Sequence, residues 1–200
     1  MPAGKNVSDA GLMYIWHLII LAMKKFFLML LAVGAMAACT TDDDNGTEPS
    51  SAGTGQFASP DFNFTIDKGF YFNTDEEIDP NGIGIVLMNP DLDFSSTNDL
   101  AGAGEAVYLR ISKADDLIPG TYTINPNGPD NAGEIVVEVL TDYNQAEGDF
   151  DFVFELETGT VIITQNADNT FQIAGSGTYF NGQDVSFGLN YDGNLRQLFP

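Results

Sequence analysis

Asp149-Phe150-Asp151-Phe152-Val153-Phe154-Glu155-Leu156-Glu157 is the stretch on which the fold turns. Phe150, Phe152, Phe154 and Leu156 alternate with Asp149, Asp151, Val153, Glu155 and Glu157. A period of two belongs to a strand, whereas a helix would scatter the phenylalanines around its circumference. The segment therefore predicts a strand with one aromatic, buried face and one acidic, wet face. Outward from it the same alternation recurs in Val107, Leu109 and Ile111 with Tyr108 and Arg110, and in Phe62, Phe64 and Ile66 with Asn63 and Thr65. Ile83 to Met88 and Ile135 to Leu140 are more continuously apolar, as in strands covered on both faces or lying in the middle of a sheet.

Turn chemistry separates these runs at Asp67-Lys68-Gly69, Asp79-Pro80-Asn81-Gly82, Pro119-Gly120, Asn125-Pro126-Asn127-Gly128, Asp168-Asn169, Asn181-Gly182 and Asp192-Gly193. Asn181-Gly182, between Thr178-Tyr179-Phe180 and Val185-Ser186-Phe187, reads as a hairpin. The nearest helical candidate, Asp91 to Gly104, is too rich in Gly, Ser and Asn to persist. About ten short strands punctuated in this way predict an all-β fold, a single antiparallel β-sandwich or β-barrel. Thirteen phenylalanines after Cys39 supply much of the volume of its core.

Composition narrows the chemistry. The 200 residues hold 29 acidic against 7 basic side chains, a formal charge of −22, and one each of Cys, His and Trp. Those three are Cys39, His17 and Trp16, so the chain beyond Cys39 has no imidazole or thiol with which to build a nucleophile–base pair, a disulfide or a Cys/His zinc site. Its basic residues there are Lys68, Arg110, Lys113 and Arg196. Such a polyanion is not a nucleic-acid binder, because duplex binding needs cations to displace the counterions of the phosphates.

Lys24 and Lys25 precede an apolar stretch from Phe26 to Ala38 that has the length of a signal-peptide core and is too short to span a bilayer. It ends in Met36-Ala37-Ala38-Cys39, which resembles the lipobox of bacterial lipoproteins, with Met36 where Leu is usual. Gly11 to Ala22 is a second apolar run lying ahead of the basic pair, so Met23 is expected to be the true start and residues 1–38 are read as leader. Residues 39–56 are polar and rich in Gly, Ser and Thr, a disordered tether following the lipidated Cys39, and 57–200 form the β-domain. Asp42, Asp43 and Asp44 resemble the acidic run by which Bacteroidota export lipoproteins to the outer leaflet of the outer membrane.

The second half of the chain carries a broader likeness. Ile118-Pro119-Gly120-Thr121-Tyr122-Thr123-Ile124, Gly159-Thr160-Val161-Ile162-Ile163-Thr164, Thr170-Phe171-Gln172-Ile173 and Tyr179 to Phe187 up to Tyr191-Asp192-Gly193 resemble the strands and hairpins of small Bacteroidota surface lipoproteins. The likeness covers about residues 105–195 and the leader. Its motifs are those of strands and turns. It implies an all-β, lipid-anchored cell-surface protein and carries over no functional residue.

Carboxylates are the one enzymatic resource of this composition. Asp149 with Asp151, or Glu155 with Glu157, would project from one strand face about 7 Å apart, within the range of inverting glycosidase pairs. The solvated face of an amphipathic strand explains the same letters. Calcium is the better use of such oxygens: Glu77, Asp79, Asn81 and Gly82 follow the opening order of an EF-hand loop, although Met88 stands where the closing Glu belongs. A looser loop site of Asp75, Glu77, Asp79 and Asn81 is the metal candidate, with Asp130, Asn131 and Glu134 as a second group. For a sugar ring, Tyr108, Tyr122 and Tyr143 are the tyrosines expected on a solvent face. The expectation is an outer-membrane lipoprotein facing the cell exterior, a non-enzymatic binding or structural module with a glycan or surface protein as partner and no cofactor besides calcium. The alternatives are a glycan hydrolase using a carboxylate pair and a subunit of a surface fibre or multiprotein complex.

Overall fold

The chain divides into two units, Met1–Asp44 and Asn45–Pro200, and every residue described below belongs to the second. The computed structural model describes residues 50–74, 82–95, 100–111, 117, 119–129, 131–145 and 152–198, with backbone alone for 152–154. These are all-β, with no helix among them: β1 (Ala52–Ala58), β2 (Asn63–Asn73), β3 (Ile83–Met88), β4 (Leu92–Phe94), β5 (Leu100–Ile111), β6 (Gly120–Ile124), β7 (Glu134–Asn144), β8 (Phe152–Glu155), β9 (Thr158–Gln165), β10 (Phe171–Phe180), β11 (Asp184–Gly193) and β12 (Arg196–Gln197).

Nine strands close into a barrel in the order β5-β3-β2-β1-β11-β10-β9-β6-β7, with β7 returning to β5. Neighbours are antiparallel except β6 and β7, which run parallel and pair only at Thr123↔Glu134 and Ile124↔Ile135. β4 and β8 extend the paired edges of β5 and β7, and β12 lies parallel beside β2. The lumen is filled by inward side chains, among them Phe57, Ile85, Leu109, Val137, Ile173 and Leu189. Phe57 stacks between Phe64 and Phe187, at centroid distances of 5.4 and 5.8 Å. A barrel of this size is a packed core, and burying each such aromatic stabilises it by roughly 2–3 kcal/mol.

Three of the expected turns, Asn125 to Gly128, Asp168-Asn169 and Asn181-Gly182, stand where the sequence places them, whereas Asp192-Gly193 is the end of β11, held straight by its pairing with Thr54 and Gly53 of β1. Gly182, at φ +72°, turns β10 into β11, which pair from Phe180↔Asp184 down to Phe171↔Gly193. Asn169, at φ 66°, turns β9 into β10, where Asp168 Oδ1 accepts from Thr170 N and Oγ1 at 3.2 and 2.8 Å. Asp67-Lys68-Gly69 is not a turn. It lies inside β2 and marks a change of face: Phe64 and Ile66 point into the barrel, while beyond the change Tyr71 packs toward the lumen and Phe70 and Phe72 face outward. Gly69 N bonds to Ser51 O at 2.9 Å, and Lys68 Nζ reaches Pro90 O, Leu92 O and Asp93 Oδ2 at 3.2, 2.8 and 2.9 Å, so strand and neighbouring loop hold the switch together. β1 likewise begins at Ala52, inside the stretch read as tether, because its backbone pairs with both β2 and β11 whatever its side chains.

Asp91 to Gly104 forms β4 and the start of β5, a continuation of the β3–β5 hairpin in the same register. Where β3 gives way to β4, buried Asn89 donates from N to Glu105 O at 3.1 Å and from Nδ2 to Glu105 Oε2 at 2.7 Å. Gly104, opposite, has φ +153°, and a Cβ there would run into the Asn89 amide. Only glycine fits.

Candidate functional site

The register brings five residues into one row across the outer face of the barrel. Phe70 on β2 stands opposite Val86 on β3, Val86 opposite Tyr108 on β5, Tyr108 opposite Glu138 on β7, and Glu138 opposite Glu155 on β8. The next row holds Phe72, Gly84, Arg110 and Val136. This outer face is unlike an ordinary wet one: Phe70, Phe72, Met88, Ala106, Val136 and Leu140 all point away from the lumen and are nevertheless buried. Phe94 meets Phe70 edge-on at 5.0 Å, and the Arg196 guanidinium lies 4.9 Å over the same ring. Phe72 and Tyr108 stack at 6.2 Å with their planes 4° apart.

Two carboxylates sit in this setting. Residues directly opposite in an antiparallel pair have Cβ atoms about 5 Å apart, and diagonal neighbours about 7–8 Å, so Glu138 has Glu155 opposite and Arg110 on the diagonal. Both glutamates are partly buried. Burial pushes the Glu138 carboxyl up to about 7, the Glu155 charge acts in the same direction, and Arg110 opposes them. Burial raises Glu155 too, again against Arg110. The arrangement is a coupled acid pair with one facing cation, able to hold a proton at neutral pH.

The acidic strand that opens the sequence analysis thus ends differently from expectation. Glu155 does not stand on an open face beside Glu157; its partner is Glu138 from another strand, while Glu157 is exposed and passes its N–H to Thr178 O at 2.9 Å. Asp149 and Asp151 lie outside the described residues. Glu138 was legible as an oddity, a carboxylate inside the apolar run Ile135 to Leu140, but not as a partner of Glu155.

The tyrosine expectation is corrected by burial. Tyr122 is 6% exposed within the core, and Tyr143 is 7% exposed with its hydroxyl donating to Leu100 O at 3.3 Å. Tyr108 is partly buried against Phe72. Tyr122 and Tyr143 offer no open ring face to a sugar. Of the metal candidates, Asp75, Glu77, Asp79 and Asn81 lie outside the described residues, as do Cys39, Asp42, Asp43, Asp44 and Asp130. Glu134 works as a turn cap, its oxygens taking Asn131 N, Asn131 Nδ2 and Asn125 Nδ2 at 3.1, 3.0 and 3.1 Å. Among the described residues no group of three or more His, Cys, Asp and Glu side chains is placed to hold a metal ion.

Two further places were not foreseen. Asp61 Oδ2 accepts from Tyr179 Oη and Asn181 Nδ2 at 2.8 and 2.9 Å, which keeps its carboxyl below the usual range and ties the β1–β2 connection to the β10–β11 hairpin. On the opposite wall Thr160, Ile162, Ala174, Gly175 and Ser176 line a shallow depression of about 140 Å³. That is well below the roughly 300–1,000 Å³ of small-molecule sites. No family model, no curated protein and no solved structure matches the chain.

Proposed function

We propose that this chain is an outer-membrane lipoprotein, anchored through Cys39 and facing the cell exterior, whose barrel is a non-enzymatic binding or structural module. The observation that carries the non-enzymatic reading is the filled lumen: side chains of all nine barrel strands occupy the place where a small barrel would hold a ligand. What the fold offers to a partner is its outer walls. The anchoring reading draws on the leader, the small residues before Cys39 and the polar stretch between Cys39 and β1. A bacterial lipoprotein cysteine carries more than one acyl chain, enough for lasting attachment without a spanning segment.

Cys39→Ser should abolish incorporation of labelled fatty acid and leave the leader uncleaved; a labelled, processed variant would sink the anchor. Asp42, Asp43 and Asp44 changed together to Ala should keep the lipid and lose accessibility to external protease in intact cells. Binding to a glycan array, run with calcium and with chelator, tests the partner class and the calcium candidate together. The Glu138–Glu155 pair favours one second reading, a carboxylate-pair glycan hydrolase. Sugar release by the wild type that Glu138→Gln and Glu155→Gln both abolish would establish it instead.

A further inference from the structure

We propose that Glu138 and Glu155 share a single proton across the β7–β8 pair, and that loss of this proton loosens β8 from β7. The geometry is that of a latch. β8 is held to β7 by four residue pairs, Glu138↔Glu155, Val139↔Phe154, Leu140↔Val153 and Thr141↔Phe152. Glu155 closes that short strand. Immediately after it the chain crosses from one wall to the other: Leu156 N still bonds to Val137 O at 2.9 Å, and the next residue, Glu157, already bonds to Thr178 O of β10. The carboxylate pair is therefore the last residue pair of the β7–β8 ladder, one residue before the final bond to β7 and the crossing.

Charge balance explains why one proton is the stable complement. The groups facing the pair from β5 are Tyr108, opposite Glu138, and Arg110, on its diagonal. β3 and β2 contribute Val86 and Phe70 to the same row, neither of them charged. On β7 the same face continues to Glu134, whose carboxylate is engaged by Asn125 and Asn131, and to exposed Asp142. Among the described residues Arg110 is thus the cation of the site, and it balances one carboxylate. With one proton on the pair the three groups are neutral together and the carboxyl can donate to its neighbour. Without it, two carboxylates whose Cβ atoms are about 5 Å apart face each other on a partly buried wall, and like charges directly opposite in a sheet are destabilising. Separating the strands is the relief open to a pair whose backbone attachment, among the described residues, is four residue pairs and the bond from Leu156 N. The direction of the Glu138 shift, which places its titration near neutrality, agrees.

The test uses the purified chain with ¹³C-labelled glutamate carboxyls, together with amide exchange across the β7–β8 pair corrected for its intrinsic pH dependence. One carboxyl, assigned by its loss in Glu138→Gln, is expected to titrate near 7, and to titrate lower in Glu155→Gln. Protection of the β7–β8 amides should fall about tenfold relative to the β10–β11 amides between about pH 5.5 and pH 8, and stay level in Glu138→Gln, where the amide mimics the protonated acid. Should that variant not fold, Glu155→Gln serves for the same comparison, since it too removes the second charge. Titration of both carboxyls in the ordinary glutamate range, or an equal loss of protection in wild type and variant, would overturn the proposal.

Discussion

The barrel has two walls of opposite character. Along β9, β10 and β11 the alternation is clean: Val161, Ile163, Ile173, Val185, Phe187 and Leu189 turn inward, and Thr160, Thr164, Gln172, Ser176, Ser186 and Asn190 turn to water. Along the second half of β2 and through β3, β5 and β7, the inner face is buried and the outer one largely covered, with Phe70, Phe72, Met88, Val136 and Leu140 buried on it and Val86, Tyr108, Arg110 and Glu138 partly so. The same backbone serves both. The difference teaches that the inner face sets the barrel and the outer face sets what each wall can do. Burial on the covered wall raises a carboxylate placed in it, as Glu138 shows.

The largest expected effect separates the walls by truncation. Phe70→Ala on the covered wall should cost about 3–5 kcal/mol in chemical denaturation, as much as truncating an inward phenylalanine such as Phe187. Ile162→Ala on the wet wall, where the side chain is 47% exposed, should stay within about 0.5 kcal/mol. Equal costs would erase the distinction.

Next comes pH. Glu138 is raised to about 7, so the folded chain holds a proton that the unfolded chain releases between that value and the ordinary glutamate range. Stability from this group therefore grows as pH falls through 7, is complete below the ordinary value, and is absent above 7. At about 1.4 kcal/mol per pH unit, the wild type should gain roughly 3 kcal/mol more than Glu138→Gln over that window. Parallel stability curves for the two proteins would contradict it. Asp61 runs the other way: its carboxyl is lowered by Asn181 and Tyr179, so its contribution is present above the ordinary aspartate value and lost as pH falls.

Smaller effects sharpen the contrast at single contacts. Tyr179→Phe removes the hydroxyl that bonds Asp61 and should cost about 1 kcal/mol, with the Asp61 carboxyl titrating higher by NMR. Arg196→Gln leaves Phe70 in place and removes the cation over its ring, for about 0.5–1 kcal/mol. A Thr160→Val change on the wet wall should move the denaturation midpoint hardly at all, since its hydroxyl already faces water.

Much of this architecture is legible in the chain. Period-two alternation is a local property, and so the alternating stretches of β2 and β5, the hairpin at Gly182 and the all-β class follow from neighbouring residues alone, whereas β9 and the start of β10 are read through the likeness to surface-lipoprotein strands. The continuous runs in β3 and β7 likewise announce strands covered on both faces or lying in the middle of a sheet, and the structure shows both strands flanked on either side and largely covered. Asp67-Lys68-Gly69 misled because turn letters are also the letters of a strand that changes face, and only pairing with Ser51 and the loop at Pro90 decides between the two. Tyr122 and Tyr143 misled because a ring can fill a core once its hydroxyl is accommodated, and burial depends on the curvature of the whole sheet. The pairing of Glu138 with Glu155, and of both with Arg110, was settled by the tertiary structure. It rests on the register between strands far apart in the chain, and a slip of one residue would send each of these side chains to the opposite face.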